Sequence, residues 1–175
     1  MTRNLIFTLL VAVAACSGQS ESPAAATSAQ APARGTAPVP MIPAEIHGLP
    51  FAIGGKCTVD SVNTPQKGET IRIKRTEGMR IEGWAFDDKS GTVPAVAVLQ
   101  MVAGGNRYHY ALLERRTGRD DLAKTFAKAE YGAAGFTATV DITTLPPGLY
   151  DMLIVQKTAT TNLVCPTYRK LEVGQ

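Results

Sequence analysis

The residues able to do chemistry fall into a few clusters. Asp87 and Asp88, and again Asp120 and Asp121, are adjacent carboxylates. Paired acids suit general acid–base work or calcium. Neighbouring side chains on a strand point to opposite faces, however, and the ordered acids and glycine of a calcium loop are missing. These acids are expected to solvate turns. No serine sits in a G-x-S-x-G elbow, no histidine pair has ligand spacing, and no glycine loop precedes a helix to cradle phosphate. No catalytic residue, metal site or cofactor is therefore assigned, and an enzyme is not expected. Tyr108 and Tyr110 flank His109, so a strand would place both tyrosines on one face. They form either a small patch for a ligand or partner, or half-buried strand tyrosines. Arg115, Arg116, Arg119, Asp120, Asp121 and Lys124 are the densest charge. Arg115 and Arg116 are candidate contacts for an anion or an acidic glycan. Arg119 belongs either to that contact or to a clamp, pairing with a carboxylate and fixing a short helix against a sheet edge.

The elements that must position these residues come in three materials. Arg3 and the apolar run 5–15 make a leader too short to span a bilayer. It ends in Val13-Ala14-Ala15-Cys16, which resembles a bacterial lipobox. The resemblance implies cleavage before Cys16 and acylation of its thiol and new amine, a firm membrane anchor. Ser17 in the following position implies sorting to the outer membrane, with the chain facing either the periplasm or the cell surface. Residues 16–44 then read as the lipidated cysteine and a disordered tether rich in Ala, Pro and Ser, with Pro23, Pro32, Pro38, Pro40 and Pro43 opposing a helix. With Cys16 lipidated, Cys57 and Cys165 remain as an even pair outside the cytoplasm and are expected to form a disulfide.

Residues 45–175 change to short apolar runs divided by turn signals. Strands are expected at 57–63, 69–75, 79–87, 93–103, 107–114, 136–142, 149–157 and 163–173, with one short helix near 120–128. Strands at this spacing, with no alternating helices, argue for an all-β antiparallel sandwich. The 93–103 run is apolar on both faces and reads as a central strand. Strict alternation from Ile81 would turn Trp84 outward as a platform for a sugar. One extra residue at Gly83, a bulge, would turn Ile81, Trp84 and Phe86 all into the core, and burial of two large aromatics favours the bulge. Tyr150 follows Pro146-Pro147-Gly148, where sandwiches tie a tyrosine hydroxyl back to a nearby turn.

Gly83-Trp84-Ala85-Phe86-Asp87, then Gly91, resembles a GWAxD-type immunoglobulin-like domain of bacterial extracytoplasmic proteins, found on surface proteins and on membrane proteins linked to glycan assembly. Arg119-x-Asp121-Leu122 is similar to its Arg-x-Asp-Val, with Leu122 in place of valine and Asp120 an added acid. Gly135-Phe136 and Leu145-Pro146-Pro147-Gly148-Leu149-Tyr150 match its later strand entries. The resemblance covers 57–173 and implies a fold of seven or eight strands in which Trp84, Asp87, Arg119, Asp121 and Tyr150 are structural. It carries no catalytic set.

The whole chain has 175 residues, 45% hydrophobic and 19% charged, with a formal net charge of +3. Its mean hydropathy is −0.01. So even a balance gives no basic footprint for nucleic acid. The expected function is a non-catalytic, lipid-anchored envelope module that contacts another envelope protein or glycan. The alternative is a carbohydrate-binding module using Tyr108, Tyr110 or Trp84. A hydrolase of unfamiliar type is a distant third.

Overall fold

Alternating side chains and turn residues build nine strands in the computed structural model, which describes residues 37–175 apart from Gln66 and the side chains of Arg115, Arg116 and Thr117. The leader, Cys16 and most of the tether lie outside the described residues. The strands are β1 (Phe51–Ile53), β2 (Lys56–Val62), β3 (Thr70–Lys74), β4 (Met79–Phe86), β5 (Ala97–Ala103), β6 (Arg107–Thr117), β7 (Gly135–Val140), β8 (Gly148–Lys157) and β9 (Asn162–Gly174). One helix, α1 (Asp120–Thr125), sits between β6 and β7 and is followed by a 3-10 turn, Ala129–Ala133. The fold is all-β, a sandwich with one short helix among the described residues, as the strand spacing implied, and it is consistent with the immunoglobulin-like form that the resemblance implied.

One sheet runs β2-β4-β7 and ends on the last residues of β6, all antiparallel. The other places β5 between β6 and β8, with β9 beyond. Long β6 passes from one sheet to the other, pairing with β5 through 107–113 and with β7 at Glu114 and Thr117. The strand path is therefore continuous, a half-barrel. At the far edge β9 is shared: β1 pairs in parallel with 162–164 and β3 in parallel with 170–174. β1 is the strand that alternation did not signal.

Ile81, Leu99, Met101, Phe136, Ile154 and Leu171 fill the space between the sheets. Burying such side chains contributes about 1.5–3 kcal/mol each. β5 is central, as its two apolar faces required. Its outward Val98 lies under Ile46, together with Tyr110, Val155 and Val164. Ile46 belongs to a strap that precedes β1. Val39 in that strap exchanges backbone hydrogen bonds with Tyr110, at 3.0 and 2.9 Å. Val39 thus packs with the domain, although it falls within the stretch 16–44 expected to be tether.

Trp84 requires a correction. β4 pairs with β7 without a register break, so Gly83 and Ala85 point inward with Ile81. The bulge exists, but on the partner strand, where Asp60 is the extra residue between Val59 and Ser61. Gly83 has no room for a side chain: a Cβ there would stand 2.2 Å from the Thr58 carbonyl oxygen and 2.7 Å from the Phe136 ring. Trp84 and Phe86 consequently face outward. Phe86 is buried all the same, because α1 and the 3-10 turn cover it with Leu122, Tyr131 and Ala134. Its ring stacks on Tyr131 at 3.8 Å between centroids. Trp84, stacked on Phe86 at 5.2 Å, is half-buried at the margin of this outer cluster.

Candidate functional site

The expected structural residues can be placed first. Tyr150 donates its hydroxyl to the Pro146 carbonyl at 2.6 Å, the tie expected at that turn. Asp87 holds the turn after β4, accepting from Ser90 Oγ at 2.7 Å and the Lys89 N–H at 3.0 Å. Burial alone would push its carboxyl up, but these hydrogen bonds prevail and hold it below its ordinary 3.8. Gly91 in the same turn has φ +71, a conformation that side chains oppose. Arg119 is the clamp. Its Nε and Nη2 reach both oxygens of Asp121 at 2.9 and 2.8 Å, and its Nη1 reaches bulged Asp60 on edge strand β2 at 2.6 Å. Cys57 and Cys165 are disulfide-bonded, with Cα atoms 6.1 Å apart, joining β2 of one sheet to β9 of the other. The side chains of Arg115 and Arg116 are outside the described residues.

What remains is the outer face of the β6-β5-β8-β9 sheet. Tyr108 and Tyr110 do share a face, with ring planes 19° apart and centroids 6.5 Å apart. They are not equally available. Tyr110 is 4% exposed and its hydroxyl accepts from Gln100 Nε2 at 3.0 Å, whereas Tyr108 is 38% exposed. Tyr108 is the more open of the two, while Tyr110 shows only an edge to the hollow that both line.

The residue that sequence reasoning missed is Tyr168. β8 and β9 pair regularly up to Met152 opposite Arg169, then resume at Leu153 opposite Pro166. Thr167 and Tyr168 are therefore extra residues on β9. Thr167 turns in and donates its hydroxyl to the Met152 carbonyl at 2.7 Å, and also accepts from the Arg169 N–H at 3.2 Å. This staples the bulge. Tyr168 is thrust out, 83% exposed at φ +57. Bulges re-aim side chains, and a tyrosine in the left-handed region costs about 1 kcal/mol or more. Pro166 was the available signal, since a proline inside a strand pattern marks an edge or a bulge.

Two hollows meet at Pro166 and Tyr168. One, about 420 Å³, runs toward Tyr108 over Gln100, Val102 and Leu153. The other, about 380 Å³, lies against Trp84, Ile53, Lys56 and the disulfide. A third, about 440 Å³, shares Tyr108 and Gln100 with the first and is walled by Pro40, Ile42 and Phe51. All fall within the range that small ligands occupy, about 300–1,000 Å³. Trp84 thus returns as a candidate contact through the side it presents to solvent. Near the hollows, Asp151 is engaged by Lys170 at 2.5 Å. No group of three or more His, Cys, Asp or Glu side chains among the described residues could hold a metal ion. Compared with family models, curated proteins and solved structures, the chain matches none.

Proposed function

We propose that this chain is a non-catalytic binding module of the bacterial envelope, exported by its leader, anchored by lipid on Cys16 and tethered so that the sandwich contacts another envelope component. The observation that carries the binding role is the Tyr168 bulge, which spends backbone strain to hold a large aromatic in solvent between two open hollows. The lipobox at Val13-Ala14-Ala15-Cys16 and the likeness of 83–87 and 145–150 to extracytoplasmic domains support the location. The disulfide fits an oxidising compartment outside the cytoplasm. The one carboxylate that lines these hollows, Asp151, is engaged by Lys170, which supports binding over catalysis.

The test uses the full-length protein in a Gram-negative cell. Metabolic labelling with an alkyne fatty acid is expected to mark the wild type and not Cys16→Ser. A photo-crosslinking residue at Tyr108 is expected to capture an envelope component, while one at Glu77, which lines none of these hollows, captures none. An unlabelled, cytoplasmic protein removes the location, and no adduct at Tyr108 removes the binding role.

A further inference from the structure

We propose that the Tyr168 hollows bind an oligosaccharide, with Tyr108, Tyr168 and Trp84 stacking on successive pyranose rings. This rests on the binding-module reading and names its ligand. Tyr168 belongs to both hollows, with Tyr108 on one side and Trp84 on the other, so one chain crossing the bulge meets three aromatic side chains. The flat apolar faces of pyranose rings match such side chains, whose polar edges stay wet.

A polar group waits at the floor. Gln100 is 7% exposed, and one end of its amide is taken by the Tyr110 hydroxyl at 3.0 Å. The other end has no partner among the described residues, yet it is not among their fully enclosed unpaired atoms, which are Gln156 Oε1 and Asn162 Oδ1. It therefore faces the cleft, where a sugar hydroxyl can both donate and accept. A few convergent polar groups on an aromatic floor are what fix a ligand's orientation.

Charge and backbone narrow the choice. Lys56, 4.0 Å from Asp88, and Arg169, which donates to the Gly68 and Val59 carbonyls, line the hollows beside a single carboxylate, Asp151, which Lys170 engages. That balance suits a neutral or acidic glycan. A peptide would be expected to add as a strand along β9 between β1 and β3, the stretch that neither covers. There Pro166 has no N–H to give, and the bulge breaks the regular ladder. The backbone thus opposes an extended peptide at the place where the aromatics gather.

Trp84 is the only tryptophan, so its fluorescence reports on this site alone. Full-length lipidated protein in a sugar-free zwitterionic detergent is titrated with chitohexaose and with a hyaluronan hexasaccharide. A saturable change in Trp84 emission is expected with at least one of them. Tyr168→Gly suits the positive φ and removes only the ring; it is expected to weaken binding about tenfold or more, while Tyr168→Phe retains it. A thermal midpoint for Tyr168→Gly at or above that of Tyr168→Phe establishes that the fold is intact. Binding of neither hexasaccharide, or binding unchanged in Tyr168→Gly, overturns the proposal. An adduct to an envelope protein at Tyr108 without saccharide binding overturns it too, while leaving the binding-module reading in place.

Discussion

Arg119 and Asp121 tie helix α1 to the sandwich, and their chemistry makes that tie dependent on pH. Hydrogen bonds from Arg119, opposed by desolvation and reinforced by its charge, hold the Asp121 carboxyl down to about 2 from an ordinary 3.8. The same bonds raise the Arg119 guanidinium above its usual range. The folded carboxyl thus binds a proton less readily than the unfolded one. Its stabilising effect is fully present above the unfolded value and disappears as pH falls through the window down to about 2. Asp121→Asn is expected to lower the unfolding midpoint at neutral pH and to flatten its fall between pH 4 and 2, read by urea melts across that window. A variant whose pH profile overlays the wild type would show that the clamp contributes nothing. The clamp was legible through the likeness of Arg119-x-Asp121-Leu122 to the motif of the extracytoplasmic domain. Its second partner, Asp60, was not, since only the β2 bulge brings it within reach.

At the scale of elements, the strap before β1 carries the largest departure from what the sequence suggested. Ala and Pro made the stretch up to 44 read as a disordered tether, but Val39 pairs with Tyr110, and beyond it Ile46 is fully buried with Asn162 holding the chain from behind. The Asn162 amide donates to the carbonyls of Ile46 at 2.7 Å and Leu49 at 3.2 Å, across 116 and 113 residues. Such long-range donors leave no periodic trace. Asn162→Ala would leave two carbonyls without their donor, a loss of about 1–3 kcal/mol. Hydrogen exchange is expected to accelerate at Ile46 and His47, whose amides close the 3-10 turn, well beyond the change in β8. Uniform acceleration would mean that the strap has no separate hold. Regular strands were legible for the opposite reason, since β3 and β7 alternate strictly against a local core. β1 was hidden because all three of its residues are exposed and its pairing is parallel. Tyr108 could be read from alternation, whereas the Tyr168 bulge arises from pairing with β8 and had Pro166 as its sole cue.

For the molecule as a whole, the disulfide is the covalent link between sheets otherwise joined through β6. Cys57 and Cys165 stand 108 residues apart. In the chain-entropy account a loop of that length restricts the unfolded chain by about 4–5 kcal/mol, an upper figure because unfolded chains retain structure. Opening it frees β2 at one edge and β9 at the other, the two strands that bracket the Trp84 hollow. With a urea dependence of about 2 kcal/mol/M, the oxidised protein is expected to unfold about 2 M later than the Cys57→Ser/Cys165→Ser double variant. Dithiothreitol should bring the wild type to the variant's midpoint and leave the variant unmoved. The sole tryptophan lies in the same hollow, so its emission follows the transition directly. Coincident midpoints for oxidised and reduced protein would place the sandwich's stability entirely in its apolar core. A separation of the expected size makes export a condition for full stability, since a reducing cytoplasm would hold the chain in its weaker form.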